Sequence, residues 1–216
     1  MNLKHLQEQI VDIIKKQNRL DKGAKVDYKA RTKGNTYQLK VSLKKAKHPI
    51  WRRILVQDDI TLHGLHQIIQ AVMGWTDTHL YEFRMGNVLF KLDQEEDWGS
   101  SKFQEIHETR EVLLGNVLIK EGQKLDYTYD FGDNWEHSIL LEKVLEEETL
   151  ASPKCLKGKR ARPPEDCGGI ECYIELVERL KAPEADDEEI QYLRDLDPEH
   201  FDLEETNEIL SKLVLD

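Results

Sequence analysis

The sequence has no long hydrophobic stretch and few cysteines, and each of these absences excludes a class of protein. No apolar run approaches the roughly 18–20 residues that a membrane-spanning helix needs. The first five residues do not resemble a secretion signal. The thiols of Cys155, Cys167 and Cys172 are odd in number and unevenly spaced, unlike the disulfide framework of a secreted domain. We therefore expect a soluble, cytoplasmic protein with reduced thiols and no membrane partner.

The signatures of several enzyme classes are missing as well. Neither a Walker A motif nor a dinucleotide-binding glycine fingerprint is present. Residues 130–132 read Asp-Phe-Gly, the triplet that binds metal in protein kinases, but the glycine-rich loop, strand lysine and catalytic loop of a kinase are absent. The zinc-deaminase signature is absent too. These motifs therefore assign no reaction.

Positive charge is scarce in the last quarter of the chain. The net charge is −11, and residues 163–216 alone contain 18 acidic and 4 basic residues. Because an acidic surface repels phosphates, we do not expect tight nucleic-acid binding. The basic run 154–162 is predicted to be a loop that pairs with the acidic C-terminal helices, and any contact it makes with DNA should be weak and salt-dependent.

The sequence that remains is typical of one globular domain of the α+β class. Its 216 residues are 39% hydrophobic and 34% charged, enough apolar surface for a single core. Residues 1–34 are predicted to be an amphipathic helix, over 2–16, followed by a linker, and residues 35–216 to be the domain. Within the domain, hairpins should join in an antiparallel or mixed sheet covered by one internal helix and by C-terminal helices.

Apolar periodicity places most of the elements. A period of two predicts strands and a period of about 3.6 predicts helices. The internal helix should be capped by Thr61 and end at Gly74. Residues 93–110 are predicted to be a surface loop. The predicted hairpins cover 37–43 with 50–56, 80–83 with 88–90, and 125–131 with 135–141, and the predicted helices cover 62–73, 170–180, 190–196 and 203–213.

Three polar and aromatic stretches carry a resemblance to a known family. They are residues 75–83 (WTDTHLYEF), 127–137 (YTYDFGDNWEH) and 162–169 (RPPEDCGG). In this order they resemble the plasmid pRiA-type ORF-three-like family, some members of which are labelled insertion-element passenger proteins. The resemblance spans about four-fifths of the chain and implies a fold and an association with mobile elements, but no mechanism. Ala161 and Cys172 depart from the family pattern, in which cysteine and glycine are usual, so a thiol-based metal site is not expected.

The same stretches supply the candidate binding residues. Each combines turn residues with polar and aromatic side chains, so we expect them to gather at one end of the sheet. Strand alternation predicts that Trp135 is buried and that Asp133, in the turn, is exposed. The candidates are Trp75, His79, Asp130, Asp133, Trp135, His137, Glu165 and Asp166.

A subset of these residues could instead hold a divalent metal ion. Carboxylate oxygens suit Mg²⁺ or Mn²⁺, and an imidazole admits Zn²⁺. The simpler interpretation is that the two turn aspartates accept backbone N–H groups, that Glu165 and Asp166 cap the next helix, and that His137 is buried and hydrogen-bonded. No cofactor is therefore predicted. The candidate metal ligands are Asp130, Asp133, His137, Glu165 and Asp166.

Two further histidines, His63 and His66, lie three residues apart on the predicted 62–73 helix. We interpret them as surface or boundary residues, not as ligands.

For the whole chain two functions stay open. The first is a non-catalytic binding or accessory protein with a small-molecule or protein partner. The second is a metal-dependent hydrolase or nuclease, in which a metal-bound water attacks a phosphoryl or acyl centre. The first is preferred because no nucleophile, base and electrophile can be assigned together.

Overall fold

A mixed sheet of eight strands organises the part of the chain that the computed structural model describes, residues 34–92, 105–146, 150–181 and 188–215. The predicted 2–16 helix lies outside these residues. The strand order is β5-β4-β3-β6-β7-β1-β2-β8, and all pairs are antiparallel except β4 with β5. The strands are β1 (Thr36–Leu43), β2 (Trp51–Gln57), β3 (Tyr81–Met85), β4 (Val88–Lys91), β5 (Glu105–Glu108), β6 (Lys124–Tyr129), β7 (Trp135–Leu145) and β8 (Lys154–Lys159).

Two of the described helices begin at side chains that cap them, as the sequence predicts. The Thr61 hydroxyl accepts the N–H of Gly64 at 2.9 Å, and the helix it caps ends at Gly74 with a φ of 73°. Asp202 accepts the N–H of Glu205 at 2.8 Å at the start of the last helix. No helix within the described residues is both long and apolar enough to cross a bilayer. The helices are α1 (Leu62–Met73), α2 (Leu114–Val117), α3 (Gly169–Arg179), α4 (Glu188–Leu196) and α5 (Leu203–Lys212).

The sheet has one face toward the helices, here called the inward face, and one outward face. On β1, Tyr37, Leu39 and Val41 are buried, whereas the residues between them are half-exposed. The inward side chains join those of α1 and of α3–α5 in one hydrophobic core. Burial on one face alone fixes the register, because a shift by one residue would turn the apolar side chains to solvent.

Arg52 ties the strands to the helices from inside the core. It points inward from β2 and is 2% exposed. Its Nε donates to the carbonyl of Val72 at 2.9 Å, in the last turn of α1, and its guanidinium lies 4.1 Å from the ring centroid of Phe201. Burial lowers its pKa to about 10. The last turn of α1 and the segment before α5 are thereby held on the same strand.

The predicted hairpins and the α+β class are confirmed, and two loop predictions are wrong. Glu105–Glu108, within the predicted 93–110 loop, forms β5 parallel to β4. The basic run 154–162 is mostly β8, paired with β2 from Trp51↔Lys159 to Leu55↔Lys154. Its lysines face outward while Cys155 is buried, so the strand shows almost no apolar alternation. Edge strands commonly carry lysine, which discourages pairing with other chains.

Candidate functional site

Three loops meet at one end of the sheet, as the sequence predicts. They are the loop that follows α1, the β6–β7 turn and the segment 162–169. The indole Nε1 of Trp75 donates to the carbonyl of Pro163 at 3.1 Å. The N–H of Gly168 donates to Oδ2 of Asp133 at 3.2 Å. The contacts link the third loop to each of the other two, so the three form a single polar region.

At the centre of this region lie one imidazole and two carboxylates. Nε2 of His79 is 3.0 Å from Oδ1 of Asp166 and 3.7 Å from Oδ2 of Asp130. One ligand atom from each residue falls within 4.8 Å of the others. The side chain of Asp130 is 10% exposed and that of Asp166 is 73% exposed. The cluster is therefore closed on the Asp130 side and open to solvent on the Asp166 side.

Both aspartates of the cluster have a backbone conformation that disfavours most side chains. The φ angle is 56° at Asp130 and 57° at Asp166, in the left-handed region. This region costs roughly 1–2 kcal/mol for residues other than glycine, although aspartate tolerates it better than most. Oδ1 of Asp130 accepts the N–H of Gly132 at 2.9 Å, which fixes the carboxylate and directs Oδ2 toward His79. The backbone thus holds both carboxylates in place.

The Nε2 atom of His79 lies beside two carboxylates but has no well-aligned hydrogen-bond partner among the described residues. This atom is shielded from solvent, and although it lies 3.0 Å from Asp166 it makes no hydrogen bond with the described residues. The edge of the ring packs against Tyr129 at 5.8 Å between centroids. An imidazole nitrogen with two carboxylate oxygens is a donor set that suits Mn²⁺, Fe²⁺ or Zn²⁺ better than Ca²⁺.

Glu165 has a structural role in this region. Its Oε2 accepts the N–H and the hydroxyl of Thr76 at 3.0 and 2.8 Å, and its Oε1 accepts the hydroxyl of Tyr129 at 2.7 Å. Burial raises the pKa of Tyr129 to about 12, so this hydroxyl stays a donor. The prediction that Glu165 and Asp166 cap the next helix is wrong, because the N-cap residue of α3 is Gly168 and no side chain caps the helix.

Asp133, predicted to be exposed, is half-buried. Its carboxylate binds Gly168, and its carbonyl oxygen lies against Gly169, where an added Cβ would be only 2.5 Å away. Gly169 also has a φ of 82°. Asp133 therefore joins the β6–β7 turn to the start of α3 and lies outside the ligand cluster.

Trp135 and His137 belong to the core beneath the site. Trp135 is fully buried, as predicted. His137 is also fully buried, and its Nδ1 donates to the carbonyl of Trp135 at 2.9 Å. Burial lowers the pKa of His137 to about 3, so the ring is neutral. It is not part of the ligand cluster.

His66 is a residue whose role the sequence did not reveal. Both His66 and His63 were predicted at the surface or boundary, and both are buried. The ring of His66 stacks on Tyr81 at 3.6 Å between centroids, its Nδ1 pairs with the Tyr127 hydroxyl at 2.8 Å, and its Nε2 pairs with Oδ1 of Asp77 at 2.7 Å. The tyrosines at inward positions of β3 and β6 were the feature of the sequence that could have indicated buried partners for these histidines. The network anchors the loop that carries His79.

The three thiols do not gather into a site. Cys155 is buried, Cys167 is half-buried and Cys172 is exposed. Burial raises the pKa of Cys167 to about 12, which keeps the thiol protonated. None of them joins the cluster of potential metal ligands found among the described residues.

Comparisons with known proteins found one matching family model and similar proteins of unknown function. The family model described as "Plasmid pRiA4b ORF-3-like protein" matches residues 35–207. An uncharacterised protein of Sinorhizobium fredii (strain NBRC 101917 / NGR234), y4hQ, is 42% identical over 146 residues, which cover 68% of this chain and 73% of that protein. The crystal structure of MM3350 from Methanosarcina mazei Go1, a protein of unknown function, matches with a TM-score of 0.69 and 39% identity, covering 81% of this chain and 97% of that one. The chain belongs to the plasmid pRiA4b ORF-3-like protein family.

Proposed function

We propose that this chain is a binding protein whose ligand is recruited by a divalent metal ion held by His79, Asp130 and Asp166. The observation that supports the proposal is the convergence of three ligand atoms from three separate loops within 4.8 Å. The imidazole nitrogen in this cluster is shielded and makes no hydrogen bond with the described residues. With its proton on Nδ1, the imidazole would present the lone pair of this nitrogen to a cation held between the two carboxylates.

Three protein ligands leave coordination positions open. Sites with three protein ligands and an open position are those at which metals exchange water for a substrate or ligand. Here the open side is that of Asp166, because its side chain is 73% exposed. A small anion, such as a carboxylate or phosphate, would complete the coordination sphere from the solvent side.

Binding is favoured over hydrolysis by what surrounds the cluster. Hydrolysis at a metal is commonly assisted by a side chain that takes a proton from the attacking water. Glu165 already accepts three hydrogen bonds, and His137 is buried among aromatic rings. Neither group is available as a base, so a metal-dependent hydrolase or nuclease remains the less supported function.

Calorimetric titration with metal tests this proposal. The chelator-treated protein should bind Mn²⁺ or Zn²⁺ with one-to-one stoichiometry. Asp130→Asn and Asp166→Asn should each weaken binding about tenfold or more, since a ligating carboxylate loses its charge. The matched control is Asp126→Asn, which neutralises a carboxylate that pairs with Lys44 on the outward face. Equal affinity in all three variants, or no binding by the folded wild type, would rule out the site.

A further inference from the structure

A row of basic side chains crosses the outward face of the sheet. Its members are Lys124 on β6, Lys40 on β1, Arg53 on β2 and Lys157 on β8. The register aligns them through Leu140 of β7, because Lys124↔Leu140, Leu140↔Lys40, Lys40↔Arg53 and Arg53↔Lys157 are all partners. Five adjacent strands span roughly 19 Å at the usual strand spacing. Among the described residues, no helix covers the sheet face on which this basic row lies.

An aromatic ring lies beside the basic row. Trp51 is half-exposed on the same face of β2. Nζ of Lys40 is 5.1 Å and Cζ of Arg53 is 5.3 Å from its ring centroid. An open concavity of about 740 Å³ adjoins them, with Leu140 and Lys157 among its lining residues. The surface therefore combines cations, an indole and a shallow groove.

Acidic residues on this face do not cancel its charge. Glu142 forms a bidentate pair with Arg53 at 2.6 and 2.8 Å. Within the described residues, Lys40, Lys124 and Lys157 form no ion pair with a carboxylate. Asp126 and Glu136, two further acids on this face, are paired with Lys44 and Lys45, outside the row. The basic row keeps a net positive charge.

The described helices of the acidic C-terminal region lie on the other side of the sheet. Residues 163–216 contain 18 acidic and 4 basic residues. The helices α3 and α5 in this region pack on the inward face through buried residues such as Tyr173, Leu176 and Leu210. The sheet thus separates an acidic helical side from a basic outward face, and the net charge of −11 conceals this separation.

We infer that the outward face binds a single-stranded nucleic acid along the basic row. Proteins that bind single strands combine a positively charged groove, which follows the phosphates, with aromatic rings on which bases stack. The basic row supplies the cations and Trp51 supplies the ring. A duplex has no free base to place on an indole, so the single strand is the better fit. An acidic helix of a second copy would satisfy the cations but would leave the stacking ring without a role.

Fluorescence anisotropy with a labelled oligothymidylate of about 20 nucleotides tests this inference on the full chain. We expect saturable binding at about 50 mM salt, and weaker binding as salt rises. The double variant Lys40→Gln/Lys157→Gln should bind about tenfold more weakly, with a salt slope lower by about 1.4, since each phosphate contact in a single strand contributes about 0.7. Trp51→Leu should lose about tenfold in affinity with an unchanged salt slope, because stacking releases no counterions.

The control removes the same charge from the helical side. Lys181→Gln/Lys212→Gln has the same net charge as the sheet-face double variant, and its affinity should stay within about twofold of the wild type, since neither lysine lies on the outward face. Equal losses in both double variants, or no saturable binding up to about 100 µM protein, would overturn the inference. Sheet-face substitutions that alter self-association in sedimentation, but not oligonucleotide binding, would assign the surface to a second copy instead.

Discussion

At the scale of single residues, the site rests on aromatic rings that the strand alternation turns inward. Trp75 stacks on Tyr129 at 5.2 Å and lies 5.9 Å from Trp135, measured between centroids. His137 meets Trp75 edge-on at 5.4 Å. Close packing of this kind has little tolerance for lost volume. Substitutions here should therefore affect stability before they affect any surface property.

Trp135→Ala should lower the free energy of unfolding by roughly 3–5 kcal/mol, the usual range for removing a fully buried large side chain. Urea titration followed by circular dichroism measures the loss. The control is Trp51→Ala on the outward face, where the ring is half-exposed and the loss should be about 1 kcal/mol. A loss below about 1 kcal/mol for Trp135→Ala would contradict its burial.

The buried neutral imidazole of His137 predicts a pH dependence of stability. Its pKa is about 3 in the folded protein, against about 6.5 for an unfolded chain. Below pH 6.5 the unfolded state takes up a proton that the folded state does not, so stability is full above this pH and falls as pH drops toward 3.

Urea titrations at several pH values measure this effect. Compared with His137→Gln, the wild type should lose up to about 1.4 kcal/mol more per pH unit below about pH 6. His200→Gln at an exposed position should leave the wild-type slope unchanged. Parallel slopes for the wild type and His137→Gln would contradict this prediction, because they would show that the folded protein takes up this proton as readily as the unfolded chain.

At the scale of elements, a close contact between the β6–β7 turn and the start of α3 brings Asp166 to the cluster. Gly169→Ala would place a Cβ 2.5 Å from the carbonyl oxygen of Asp133, at a φ of 82°. Gly122→Ala provides a matched control, because Gly122 has a φ of 87° and nothing within 4 Å of an added Cβ. Backbone strain alone costs roughly 1–2 kcal/mol, so both should be destabilised by that amount.

The free energy of unfolding of Gly169→Ala should fall by a further 1–3 kcal/mol or so, because the added Cβ forces the start of α3 away from the β6–β7 turn. Urea unfolding measures this loss. Its affinity for Mn²⁺ should fall as well, because Asp166 moves with the displaced segment. The Gly122→Ala variant should bind metal as the wild type does. Equal stability of the two variants would show that the contact between Asp133 and Gly169 does not constrain the loop.

Sequence patterns predicted the elements wherever apolar spacing was regular, as in α1 and in the hairpin of β6 with β7. They failed at β8, where lysines on an edge strand obscure the alternation. For the site, they indicated the three loops and Asp130 and Asp166. They could not separate these two carboxylates from Glu165, whose partners Thr76 and Tyr129 come close only through the tertiary fold. For the same reason, the partners of His66 could not be predicted.

At the scale of the whole molecule, the separation of charge predicts weak binding to duplex DNA. With a net charge of −11 and an acidic helical side, random duplex DNA should not bind with sub-micromolar affinity near 150 mM salt, which is roughly physiological. A gel shift or an anisotropy titration measures this. Sub-micromolar binding that disappears on neutralising Lys157, Lys159 and Arg160 would contradict the prediction and would indicate a DNA-processing protein.

In a Trp98→Phe variant, the other three of the four tryptophans give the protein optical probes of its two faces. Trp75 and Trp135 lie in the core within 5.9 Å of each other, whereas Trp51 is half-exposed on the outward face. Quenchers dissolved in water should reach the ring of Trp51 and reduce its fluorescence, and they should leave the fluorescence of the core pair largely intact. The coupled core rings should dominate the near-ultraviolet circular dichroism, so an occupant of either face would produce its own spectroscopic signal.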